Sequence, residues 1–149
     1  MSEEYRGRFF EDFEAGHVYR SWLGRTVTEA DNVWFANLTM NTNQMHFNRE
    51  WAERSEFGQP LVVSTFTLAL VLGLAVRDTS ENAAANLGWR DIKLPKPVFV
   101  GDTLYCTLCV SDMKAGKITG VLTLTSAVQN QRGELVMDGF QKYLLRKRP

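Results

Sequence analysis

The chain has two histidines, and one of them, His46, lies in the stretch TMNTNQMHFNREW among the amides Asn41, Asn43 and Gln44. Imidazole is the side chain that ordinarily exchanges a proton near neutral pH, so His46 is the candidate proton carrier. The neighbouring amides cannot share that work. An asparagine can orient a water or cap a turn, but it does not take up a proton at any working pH. Two readings stay open for Asn41, a water-orienting group and a turn amide. For His46 the bland alternative is a structural histidine with its hydrogen bonds satisfied.

These residues need elements to hold them. His17 to Val27 alternates well enough for a first strand, and TEAD then offers a capping box, with Thr28 capping the amides ahead and Asp31 reaching back. A helix is predicted from Asp31 to about Thr42, and a shorter one over REWAERSE with Asn48 as its cap. The run QPLVVSTFTLALVLGLAVRD follows, with Pro60 suited to a first turn. Its body is apolar on nearly every face, so the surrounding chain is expected to wrap it. Four strands are then predicted over Asn82–Leu94, Thr103–Met113, Lys117–Gln129 and Glu134–Arg146, with KAGK and NQRGE as hairpin turns. A buried helix followed by long antiparallel strands able to curl around it is an α+β arrangement, in the order of a hotdog fold.

Composition narrows the function. The chain has 149 residues, which suits one domain, 1–149. Seventeen basic and seventeen acidic side chains balance, so no global field draws the protein to nucleic acid or to an anionic membrane. The acidic, aromatic opening MSEEYRGRFFEDFEAG is not a secretory leader, and a cytoplasmic location is the expectation. The apolar run from Leu61 to Val76 contains Ser64, Thr65 and Thr67 and is shorter than the roughly 20 residues that span a bilayer. Cys106 and Cys109 fall on opposite faces of a strand, poor geometry for a disulfide or a shared metal. No ligand cluster or Gly-rich phosphate loop suggests a metal or cofactor. Trp34, Trp51 and Trp89 are expected in the core or at an interface, with an acyl-pocket role open for Trp34. His17 reads as a surface residue, and Gly101 and Asp102 as turn residues at a strand start.

Three segments carry a resemblance. Thr39 to His46 resembles the S/T-G-D-x-N-P-x-H motif of the MaoC-type dehydratases, which include (R)-specific enoyl-CoA hydratases. Phe57 to Ser64 resembles their F-x-x-P-I-A-H-G turn into the central helix, and LPKPVFVGDTLY their K/R-P-V-x-x-G-D strand entry. Longer stretches, such as NLGWRDIKLPKPVFVGDTLY, are similar to the mesaconyl-CoA hydratase branch. The resemblance implies a hydro-lyase acting on an enoyl-CoA thioester, with a branched dicarboxylic acyl group. His46 and Asn41 would be the catalytic pair, and Asn43 would fix the loop or the water. The thioester oxygen would rest on backbone N–H groups around Ser64, with Val63 and Thr65 beside it. Helix-start amides are unpaired within the helix and suit a developing enolate.

Three of the chain's departures from the pattern bear on the chemistry. Asn41 stands where the motif has Asp, Gln44 where it has Pro, and Ser64 where it has Gly. A Ser hydroxyl could add a donor or reach a substrate carboxylate. Arg77, Arg90, Lys93 and Lys96 are candidates for CoA phosphates or a substrate carboxylate. The expected partners are an acyl-CoA and a second copy of the chain, as a homodimer or dimer of dimers, since pairing would cover an open sheet edge. The rival readings are a non-catalytic acyl-CoA-binding or assembly partner and, ranked last, an acyl-CoA thioesterase.

Overall fold

In a computed structural model that describes residues 7–149, the chain folds as a curved antiparallel sheet with a helix laid across its inner face. The first six residues of the acidic opening segment lie outside the described residues. Two short strands, β1 (Val18–Arg20) and β2 (Arg25–Thr26), take the place of the single strand expected over His17–Val27. Helices α1 (Glu29–Leu38), α2 (Arg49–Glu53) and α3 (Ser64–Ala75) follow, with a 3-10 turn at Gln44–His46 between the first two. Four long strands complete the fold: β3 (Ala83–Lys93), β4 (Thr103–Ala115), β5 (Thr119–Gln129) and β6 (Leu135–Arg146). Their order in the sheet is β1-β4-β5-β6-β3, with β2 also paired to β4.

Period-two alternation builds the core. On β4, Leu104, Cys106, Leu108 and Val110 point inward, while Tyr105 and Cys109 face the other way. Leu122, Leu124 and Val128 of β5 and Met137, Tyr143 and Leu145 of β6 continue the same layer. Across it, α3 buries Thr67, Val71 and Ala75, a stripe at i, i+4 and i+8.

Two features of α3 differ from the sequence reading. It begins at Ser64, because the amides of Leu61 and Val62 are already bonded to Met45 O and Val98 O in extended geometry. Pro60 therefore lies in the approach loop and not in the first turn. The helix is also open on one flank, where Thr65, Ala69 and Gly73 are exposed, as is Val76 just past its end. One curved sheet covers one face of a helix, and the opposite flank has no second layer among the described residues.

Of the two places expected for the tryptophans, core or interface, the single chain excludes the core. Trp34 is 70% exposed, and Trp51 and Trp89 are exposed as well, so none belongs to the core of the single chain. Helix α1 also ends earlier than expected. Met40 N bonds to Asn37 O and Asn41 N to Ala36 O, a Schellman closure that puts Met40 at a φ of 53°. No described helix is long and apolar enough to cross a membrane.

Candidate active site

The site is built where α1, the 3-10 turn and the start of α3 meet. Helix α1 is fixed first. Thr28 Oγ1 accepts from Asp31 N at 3.2 Å, and Asp31 Oδ2 accepts from Thr28 N at 2.8 Å. Arg25 adds a bidentate pair to the same carboxylate at 2.9 and 2.8 Å. That guanidinium, with the Thr28 amide and hydroxyl, holds Asp31 well below the usual carboxylate range.

With its first turn locked, α1 directs Asn32 inward, where it is 1% exposed. Asn32 Nδ2 donates to His46 O and to Leu61 O, both at 2.8 Å, and Oδ1 accepts from Val63 N at 2.9 Å. This residue was missed in the sequence. Its signal there was faint: a polar side chain four residues before Ala36, on what proves to be the buried stripe of α1.

The loop after α1 uses its amides internally. Asn41 Oδ1 accepts from Asn43 N at 3.0 Å, and Asn43 Oδ1 accepts from Met45 N at 3.1 Å, capping the turn. Asn43 is thus placed as a loop-fixing residue. Asn41 is half-buried, and its oxygen is engaged by that bond. His46 emerges from this turn, and its Nδ1 lies 2.9 Å from Leu61 O. A carbonyl oxygen only accepts, so Nδ1 carries a proton, and in the neutral form of the ring the lone pair is on Nε2.

His46 lines a cleft of about 290 Å³ together with Phe57, Leu61, Val62, Ser64, Thr67 and the segment Leu94–Val98. The opposite wall is the start of α3. Phe66 and Thr67 return their amides to Val63 O, whereas the amides of Ser64 and Thr65 find no acceptor among the described residues. Both residues are exposed. Val63 was expected beside them as a substrate contact. Its side chain is buried and its amide is committed to Asn32.

Of the four cationic candidates, Lys96 alone lines the cleft, and it pairs with Glu134 at 2.7 Å. Bonds from Asn130, Lys96 and Arg132 hold the Glu134 carboxyl down to about 2. Arg90 lies over the Phe140 ring at 4.2 Å, Arg77 lies over Trp22 at 5.8 Å, and Lys93 is exposed. Trp34 borders a separate depression with Asn37 and Leu38. Asp102 closes the turn into β4 as expected, accepting from Phe99 N at 3.0 Å, next to Gly101 at φ 95°.

The arrangement places the anchored His46 imidazole and Ser64, the first residue of α3, in one mainly apolar cleft. Helix-start donors stabilise an oxyanion most strongly where water is excluded. The pattern of a MaoC like domain matches residues 12–131. The chain belongs to the MaoC-like family. It is 32% identical to a mesaconyl-CoA hydratase of Cereibacter sphaeroides, over 95% of this chain and 42% of that protein. It is 28% identical to an (R)-specific enoyl-CoA hydratase of Rhodospirillum rubrum, over 88% and 87% of the two chains.

Among solved structures, a putative MaoC domain dehydratase from Chloroflexus aurantiacus superposes with a TM-score of 0.93 at 30% identity, covering 100% of this chain and 43% of the other. A double-hotdog protein of Mycobacterium tuberculosis, 21% identical and covering 99% of this chain and 46% of that one, superposes at 0.90 and supports the hotdog fold. The MaoC-like chain described here therefore spans less than half the length of three of these four relatives.

Proposed function

We propose that this chain is a hydro-lyase that adds water to, or removes it from, an enoyl-CoA thioester, with a branched dicarboxylic acyl group such as mesaconyl as its substrate. The observation that carries the reading is the His46 ring, tied at Nδ1 to Leu61 O and lining one cleft with Ser64, at the helix start where the Ser64 and Thr65 amides find no acceptor among the described residues. In the hydration direction Nε2 takes a proton from water as its oxygen bonds to the β carbon. The π electrons move onto the thioester oxygen, which the two amides hold as an enolate. The same Nε2–H then gives its proton to the α carbon, so one imidazole adds both parts of water. No electrons leave the substrate, and the reaction calls on no cofactor.

Lys96 at the cleft supports a substrate with a second carboxylate. The open flank of α3 and the exposed β3 edge, with Leu87 and Trp89, support a second copy of the chain as the covering layer, in a homodimer or dimer of dimers. The proposed location is the cytoplasm.

A second reading rests on Asn41, which stands at the family's acid position with its oxygen bonded to Asn43 N. On that reading the fold binds acyl-CoA without turning it over. Hydration of mesaconyl-CoA, itaconyl-CoA and crotonyl-CoA by the purified protein separates the two. The expected result is turnover of a dicarboxylic thioester ahead of crotonyl-CoA, with kcat falling ~10²–10⁴-fold in His46→Ala, the usual worth of a general base. Thioester binding with no turnover of any of the three would establish the second reading instead.

A further inference from the structure

Asn32 is a polar side chain sealed in the interior at 1% exposure, and its carboxamide is fully used. Both Nδ2 hydrogens go to carbonyl oxygens, of His46 and Leu61, and Oδ1 takes the N–H of Val63. A flipped amide would set an oxygen against two carbonyls and an NH₂ against an N–H, so chemistry fixes the orientation. The three backbone partners are not arbitrary neighbours. His46 carries the base. Leu61 supplies the carbonyl that anchors its ring. Val63 is the N-cap after which the unpaired amides of Ser64 and Thr65 begin.

Leu61 O therefore receives two donors, Asn32 Nδ2 at 2.8 Å and His46 Nδ1 at 2.9 Å. With Asn32 holding one side of that oxygen, the other side is where the imidazole Nδ1–H must dock. We propose that Asn32 is a positioning residue that sets both the tautomer of His46 and its placement relative to the α3 amides. Its catalytic consequence rests on the hydro-lyase reading; the tautomer itself does not.

The test combines ¹⁵N NMR of the imidazoles with steady-state kinetics on Asn32→Ala. Exposed His17 serves as an internal reference, and Leu124→Ala as a destabilised control outside the cleft lining. Wild-type His46 is expected to show a neutral ring protonated at Nδ1. In Asn32→Ala that signature gives way to a mixed or Nε2-protonated ring. kcat for the enoyl-CoA drops ~100-fold with KM little changed, the scale of a 1 Å misplacement of a reacting group. Leu124→Ala keeps both the tautomer and the kcat of its folded fraction.

An Asn32→Ala protein that retains the Nδ1-protonated ring, and loses activity only in step with its folded fraction, overturns the proposal. Should the wild type hydrate no enoyl-CoA, the hydro-lyase reading fails while the NMR result still decides the role of Asn32. Asn32→Ser is read by the same criteria if the alanine variant does not fold.

Discussion

From Thr103 to Arg146, three strands pair with only two register breaks, and their inner side chains are almost all apolar. From Thr28 to Ser64 the chain is organised differently. There are short helices, a 3-10 turn and extended links, joined by side chains that bond to backbone groups: Thr28 and Asp31, Asn32, Thr39, Asn41, Asn43 and Asn48. The sheet draws its strength from burial and a repeated ladder. The site-bearing layer draws its shape from individual amides, each holding a particular carbonyl or N–H. A lost methylene is expected to weaken the sheet in proportion to its volume, whereas a lost amide is expected to displace a reacting group.

The sharpest probe of that contrast is Ser64→Pro. Proline suits the first helical position, and Val63 already has the extended geometry a residue before proline adopts, with φ −59° and ψ 124°. The substitution removes one helix-start N–H and leaves the helix intact. We expect kcat to drop ~10²–10³-fold, the cost of one oxyanion donor, with an unchanged circular dichroism spectrum. An unaltered kcat would remove this amide from the oxyanion site.

Leu124→Ala, at the centre of the sheet, is expected to do the reverse. Stability in a urea titration falls by about 3 kcal/mol, and kcat per folded molecule is retained. Asp31→Ala should cost about 1 kcal/mol, in the range of a lost helix cap. That difference is pH-dependent. The folded-state carboxyl is depressed, so its contribution is complete above the ordinary carboxylate range near pH 4 and fades as pH falls further. Melting curves of the two proteins should therefore converge in acid, and a gap that stayed constant would contradict the assignment. Met40→Gly is the smallest change and has the opposite sign. Relieving a left-handed methionine should raise stability by about 1 kcal/mol without altering kcat.

The contrast also explains what the sequence showed. β3 was expected over 82–94 and runs over 83–93, and β6 was expected over 134–146 and runs over 135–146, because alternation and turn residues declare strands directly. The capping box and the Asn48 cap were legible for the same reason, being local in sequence. His46 and Ser64 were found through a motif, and the structure brings both to one cleft. Asn32 was not found. Its partners lie 14 to 31 residues away, and on α1 the usual inside-outside rule is inverted, with Asn32 and Ala36 buried while Trp34 and Leu38 face out. A side chain turned inward to serve distant backbone groups leaves no periodic trace. The start of α3 was misjudged because Leu61 and Val62 are apolar enough for a helix, but their amides are claimed by other segments.

One consequence of the sheet order concerns the living ribosome. β3 is the next strand after α3, beyond a π-helical turn at Val76–Ser80, yet it pairs with β6, whose first residue emerges more than forty positions later. A nascent chain that has released the apolar helix and β3 holds both without a ladder to join. The segment around His46 then has its local turns and caps, but no closed sheet at its back. Folding to the form described here must wait until Leu135–Arg146 has been synthesised.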